Sequence, residues 1–348
     1  MYRRFGENEA AGTSPLYERV AVALSESEEA LRAVEAAPAR SRHPAVILAA
    51  LQDLALAGRA PALAAAYAAS DGDAAAGAAI DTLLRTTDAV VAAAVRRPPR
   101  PTETGRCAVL YPAVAEAARR VGASPIGLID VGCSAGLNLS VDRVGITYSN
   151  GQSLGAPSSP VQMSCSIVGN RPVPARAVPE VVARVGVDLD PIDVTDRDDA
   201  RWLRACVPPD QPDRIARLDA EMALAATAPP LLLRGDVVEV LPDAFARVPA
   251  DALPVVTTTW ALSRLPPEGR LRFLHRLDDA AAGRPVAWVS AEGVGVAPAI
   301  PTLGDRRASG HSIIGLAVFD GSALHAEAVG RSWSRGRMLA WLAGEPQP

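Results

Sequence analysis

Five small residues, Gly132-Cys133-Ser134-Ala135-Gly136, are where this chain is best equipped for chemistry. An apolar run from Ile126 to Val131 precedes them, broken only by Asp130, and Asn138 follows shortly after. Glycine has no Cβ to hold a ligand away from the main chain. A buried strand that ends in such a turn therefore lets backbone N–H groups approach a small molecule closely. The segment after the turn reads as the start of a helix, which places a ligand site at the end of the first strand.

Two chemistries fit the turn. Gly132-x-Ser134-x-Gly136 matches a nucleophile elbow, with acids (Asp236, Asp243) and histidines (His275, His311, His325) following in the order a Ser-Asp-His hydrolase requires. In such hydrolases several strands precede the elbow and an oxyanion loop lies upstream, whereas here everything upstream reads as helix. The other chemistry is an adenosyl-ligand site, which a doubly wound sheet forms across the ends of successive strands. The first strand then offers Asp130, Gly132, Ser134, Gly136 and Asn138. The second ends in Asp188 and Asp190, carboxylates able to accept both ribose hydroxyl hydrogens. The third ends in Asp236 and Val237, suited to an adenine amino group and ring face. The fourth ends in Thr259 and Trp260, where the reactive end would lie. Arg106, one helix before the first strand, has the fork geometry for a ligand carboxylate. Glu292 and His311, just past the fifth strand and just before the sixth, are the candidate bases. The turn lacks a full GxGxxG and no arginine-rich phosphate cradle is evident, which disfavours NAD and FAD.

The elements that must position these residues divide at Arg97-Pro98-Pro99-Arg100-Pro101. Before it, residues 1–101 read as an alanine-rich helical region, with helices over 16–37, 44–58, 61–69 and 74–97. After it, residues 102–348 alternate strand and helix. Strands are predicted at 126–131, 181–188, 230–234, 254–259, 285–290, 312–319 and 323–328, the last two joined at Asp320-Gly321 as an antiparallel hairpin. Helices are predicted at 106–121, 197–206, 213–226, 268–282 and 334–343. The pattern predicts an α/β, doubly wound, mostly parallel seven-stranded sheet with a helical N-terminal region. An insert at 145–174 carries strand-like pieces at 146–148 and 161–168. Asp196, Asp198 and Asp199 cluster where a helix starts, which favours a dipole interaction over a metal site.

Composition narrows the chemistry further. The chain has no lysine, so a Walker-type phosphate lysine and a lysine Schiff base are both excluded. Acids exceed bases by 39 to 35 without a basic block, so no nucleic-acid partner is expected. Four dispersed cysteines give neither a zinc knuckle nor a disulfide framework. The polar amino terminus carries no signal-peptide pattern, and no apolar run reaches membrane-spanning length. A cytoplasmic protein without a membrane partner is expected. Nothing in the sequence speaks to its oligomeric state.

Taken together, residues 105–343 resemble class I S-adenosylmethionine-dependent methyltransferases, whose seven-stranded sheet ends in an antiparallel hairpin. More closely, the chain resembles an uncharacterised bacterial family with this core behind a helical N-terminal region. That likeness rests on SPLYERV (14–20), GRCAVLYPAV (105–114), DVGCSAGLNLSVDR (130–143), RVGVDLDPIDV (184–194) and PDQPDRIARLDA (209–220). At Ser134 the chain departs from the second glycine many methyltransferases carry, although serine is still small. The resemblance implies S-adenosylmethionine as cofactor and methyl transfer to a small-molecule acceptor. A protein that binds an adenosyl ligand without catalysis, and a serine hydrolase using Ser134, are the alternatives.

Overall fold

Capping side chains set where the N-terminal helices begin. The computed structural model describes residues 1–97, 105–321 and 323–344, so residues 98–101 of the expected boundary lie outside the described residues. The helices before it are α1 (Tyr2–Phe5), α2 (Pro15–Glu26), α3 (Glu28–Glu35), α4 (Pro44–Leu56), α5 (Pro61–Ala68), α6 (Gly72–Arg85) and α7 (Thr87–Arg96). Ser14 accepts the Tyr17 N–H ahead of Pro15, and Asp71 accepts those of Asp73 and Ala74. The helix expected over 16–37 breaks at Ser27, whose hydroxyl accepts from Ala30 N–H and starts α3. That expected over 74–97 breaks at Thr86, which leaves helical geometry (φ −129°) while its Oγ1 donates back to Thr82 O at 2.7 Å. Periodicity cannot register such breaks, because the apolar stripe resumes in phase after each one.

Chain contacts gather into two units, Met1–Thr104 with Thr195–Ala220, and Gly105–Val194 with Glu221–Pro348. Residues 195–220, expected to belong with the strand-rich half, thus cluster with the first helices. In this helical unit α4 is buried on nearly every side. Its polar members are answered there: Tyr17 Oη donates to Gln52 Oε1 at 2.6 Å, and Arg201 pairs with Asp53 at 2.8 Å. Asp196 caps the helix Arg197–Ala205, while Asp198 and Asp199 pair with Arg201 and Arg97, the dipole arrangement anticipated for this acidic cluster. Among the described residues no single helix is long and apolar enough to cross a membrane.

The other unit is mixed α/β around one large sheet. In chain order it contains α8 (Cys107–Val121), β1 (Ile126–Val131), β2 (Gly145–Tyr148), β3 (Ser153–Gly155), β4 (Gln162–Ile167) and β5 (Val181–Asp188). After α9 (Arg197–Ala205) and α10 (Pro212–Ala226) come β6 (Leu231–Arg234), α11 (Val237–Ala246), β7 (Leu253–Thr259) and α12 (Pro267–Ala281). The chain closes with β8 (Val286–Gly293), β9 (Ser312–Phe319), β10 (Leu324–Trp333) and β11 (Met338–Trp341). The sheet has eleven strands, in the order β3-β2-β4-β11-β10-β9-β8-β7-β1-β5-β6, rather than seven. Neighbours from β6 to β8 are parallel, and β9 and β10 run antiparallel as the Asp320-Gly321 hairpin predicts. Beyond β10 the extra strands come from the 145–174 insert and from β11.

Three local expectations fail for identifiable reasons. Residues 334–343 form no α-helix, only a 3-10 turn at Ser334–Gly336. Ser334, Arg335 and Gly336 all take positive φ, and Met338–Trp341 pairs with β10 and β4, so sheet pairing overrides helix propensity. The turn after β1 opens a 3-10 segment, Leu137–Arg143, in which Ser140 departs from helical geometry, and not an α-helix. Helix α11 was not anticipated; Asp236 caps it.

One face of the sheet buries Ile129, Val131, Val187, Val256 and Trp288 against α11 and α12, through residues such as Leu241, Phe273 and Leu277. Trp288 is fully buried, so its indole N–H would be costly if unmet; it donates to Thr258 Oγ1 at 3.0 Å. Helix α8 packs on β7, β8 and β9. From β1 the chain steps to β5 and β6 on one side; from β7 it steps to β8 on the other. Connections leaving neighbouring strands in opposite directions open a crevice at their carboxyl ends, here between β1 and β7.

Candidate functional site

At that edge the β1 turn is held by its neighbour strand. Gly132 N–H donates to Val187 O at 2.8 Å, and Asp188 accepts from Ser134 N–H and from Asp190 N–H, each at 2.9 Å. Gly132, Ser134 and Gly136 all have positive φ. A Cβ on Gly132 would come within 2.8 Å of Ala261 Cβ, so this position admits no side chain on two counts. Gly186 of β5 belongs to the same fit, since a Cβ there would meet Cys133 Sγ at 2.6 Å. Asp188 is almost wholly buried and ties the turn through backbone amides, rather than standing open as a ribose acceptor. Asp190 is the half-exposed acid of this strand end and pairs with Arg234 at 2.6 Å.

Asp130, one residue inside β1, lies beneath the turn. It accepts from Thr257 Oγ1 at 2.7 Å and Asn138 Nδ2 at 3.3 Å, and the same amide reaches Thr259 Oγ1 at 3.3 Å. Arg106 donates to Thr259 Oγ1 at 2.8 Å and to its carbonyl at 3.1 Å. Burial pushes the Asp130 carboxyl up to about 6, against the opposing pull of Thr257, Asn138 and the Arg106 charge. Arg106, Asp130, Asn138 and Thr259, singled out on separate segments, therefore form one connected polar group.

Trp260 follows with φ of +54°, uncommon for a bulky residue, and its indole N–H donates to Ser312 Oγ. The guanidinium carbons of Arg106 and Arg335 lie 5.2 and 5.7 Å from its ring centre. Backbone strain collects along this edge, at Ser134, Trp260, Ser334 and Arg335. Non-glycine residues held at positive φ persist only where their surroundings impose it, and they concentrate at ligand sites.

The two expected bases are placed differently from their anticipated role. Glu292 is fully buried, and its Oε1 accepts from Ala261 and Leu262 N–H at 2.9 and 3.1 Å. It positions the loop after β7 instead of facing a substrate. Burial pushes its carboxyl up to about 7, against the opposing pull of the Leu262 and Ala261 amides, Thr258 and the Arg106 charge. His311 is also buried, and its Nε2 lies 2.9 Å from Asp305 Oδ2, a carboxylate that Arg331 grips with two bonds. The Arg331 bonds hold Asp305 below the usual carboxylate range. Asp236 is exposed and caps α11 through Oδ1, which accepts Val238 N–H at 2.9 Å, with Val237 beside it half-buried.

Asp130, Asp188 and Asp236 thus stand at the ends of three adjacent parallel strands, Asp188 level with Arg234 and Asp130 level with Gly186 and Thr257. Ser134 Oγ is buried and has no hydrogen-bond partner among the described residues, so no Ser-His pair is assembled there. Sequence reasoning missed Thr257, Gly186, Ser312 and Arg335. Thr257 was findable, because parallel register sets it level with Asp130; Arg335 was not, since its segment reads as helix. A cavity of about 630 Å³ lies away from this edge, against the far end of α8. Among the described residues no group of three or more His, Cys, Asp and Glu side chains is arranged to hold a metal.

Residues 1–341 match the model of a family described as an uncharacterized protein conserved in bacteria (DUF2332), and the chain belongs to that family. No curated protein and no solved structure matches it.

Proposed function

We propose that this DUF2332 protein has a Rossmann-like core and is an S-adenosylmethionine-dependent methyltransferase acting on a small-molecule acceptor. The observation that carries the reading is the run of acids on three adjacent strand ends, beside a small-residue turn, where the strand order reverses. Fit is supported locally: Gly132 leaves no space between the turn and Ala261 for a side chain, Asp236 keeps an exposed carboxylate beside it, and Asp190 a half-exposed one paired with Arg234. Asp190 would accept from the ribose hydroxyls, with Asp188 holding the turn in place. Asp236 and Val237 would meet the adenine, and Arg106 the amino-acid carboxylate. Gly132, Ser134 and Gly136 bring main chain close to the ligand, while Asn138, Asp130 and Thr259 fix its floor.

When bound, S-adenosylmethionine supplies a sulfonium methyl open to in-line displacement. The protein's task is to align the acceptor, which can account for roughly 7–11 kcal/mol of the barrier. Trp260 and the loop fixed by Glu292 would wall the acceptor side. No general base is needed for a thiolate or carboxylate acceptor, which agrees with Glu292 and His311 both being engaged elsewhere.

Calorimetric titration of the intact protein with S-adenosylmethionine tests this. A saturable one-to-one isotherm is expected, lost in Gly132→Val. Asp236→Ser keeps a capping oxygen but removes the carboxylate; it should weaken binding about tenfold while leaving Tm nearly unchanged. Silence from wild-type protein at every ligand concentration would sink the proposal. Binding with no methyl transfer to any acceptor would favour the non-catalytic reading, and fluorophosphonate labelling of Ser134 the hydrolase.

A further inference from the structure

The cavity at the far end of α8 is a separate place from the strand edge. Glu116 lies ten residues beyond Arg106, about 15 Å along a helix axis. Its volume of about 630 Å³ falls within the range that holds drug-sized ligands. Val173, Trp341 and Ala343 supply apolar wall. The wall formed by residues 171–176 is pinned by Gln152, whose Nε2 donates to Val173 O at 2.9 Å and whose Oε1 accepts Val173 N–H at 3.2 Å.

Charge at this cavity is unbalanced, in a chain whose net charge is −4. Among the described residues Arg119, Arg171 and Arg176 line it with one acid, Glu116, and that carboxylate is already shared between Arg119 and Arg120. Arg171 donates to the Leu342 carbonyl, a neutral acceptor, and has no ion-pair partner among the described residues. Arg176 is exposed and has no hydrogen-bond or ion-pair partner among the described residues. Guanidinium forks beside an apolar wall match a ligand with two unlike ends, because a carboxylate takes two parallel N–H bonds while the wall covers hydrocarbon.

We propose that this cavity is a second ligand site, which takes a small molecule with an apolar body and one anionic head held by Arg176 and Arg171. The inference stands independently of the methyltransferase reading.

Calorimetry on the full chain with 2-naphthoate, its neutral amide 2-naphthamide, and inorganic phosphate tests it. Saturable naphthoate binding is expected, with the amide and phosphate each at least about tenfold weaker. Arg176→Gln should weaken naphthoate about tenfold, and Ala175→Glu, which adds a carboxylate to the exposed rim, should abolish binding. Both positions are exposed, and unchanged Tm in each variant shows the fold intact. Equal binding of naphthoate and naphthamide, equal binding of phosphate, binding insensitive to both variants, or no binding of naphthoate at all would each overturn the proposal.

Discussion

Asp188→Ala should release the β1 turn and remove ligand binding at the strand edge together. In the native protein this nearly buried carboxylate satisfies the Ser134 and Asp190 amides with one oxygen each. Alanine leaves both N–H groups without that acceptor, at roughly 1–3 kcal/mol apiece, so a loss of about 2–6 kcal/mol in unfolding free energy is expected. The turn contains Ser134 at φ +52°, a conformation its surroundings must impose. Without its anchor the main chain relaxes, and affinity for S-adenosylmethionine should fall at least about a hundredfold. Asp188→Asn retains one strong acceptor and should lie between alanine and wild type in both measurements. Urea unfolding followed beside calorimetry reads the two effects. An alanine variant with wild-type midpoint would show that Asp188 does not hold the turn.

Between pH 5 and 7.5 the protein should lose stability as pH rises, against the trend that paired carboxylates impose at lower pH. Burial raises Asp130 from 3.8 to about 6 and Glu292 from 4.5 to about 7. Through those windows the folded protein keeps protons the unfolded chain has already released. The folded state binds more protons, so unfolding free energy falls with rising pH, by up to about 1.4 kcal/mol per unit for each group. Below about pH 3 both groups are neutral in either state and their penalty vanishes. Glu292→Gln keeps an oxygen for the Ala261 and Leu262 amides and carries no charge. Its Tm should gain on wild type by a few degrees at pH 7.5 and almost nothing at pH 3.5. Parallel Tm-versus-pH curves for the two proteins would mean that Glu292 binds no more protons in the folded protein than in the unfolded chain, and that burial does not raise its carboxyl.

The two expectations concern residues that the sequence marked for another role. Asp188 and Glu292 were read as ligand and base because each closes a strand where substrates gather. The position was legible, since an apolar run followed by an acid fixes a strand end. The partner was not. Whether a carboxylate meets a ligand or a backbone amide depends on how the next loop folds over it. In both cases the loop came from a different strand, β1 for Asp188 and β7 for Glu292.

By itself the chain determined the strands near 126–131, 181–188, 230–234, 254–259, 285–290 and 312–319, the hairpin at Asp320-Gly321, and a polar, small-residue edge rich in acids. Alternation, β-branched runs and turn residues are local signals, and parallel pairing brought the marked strand ends together. Only the tertiary structure decided that the 145–174 insert and Met338–Trp341 enlarge the sheet to eleven strands. Short segments have no strong period of their own and become strands when a neighbour offers unpaired backbone groups. Tertiary structure likewise set Arg335 beside Trp260 and left Arg176 at a cavity wall, because contacts between residues far apart in sequence leave no trace in spacing.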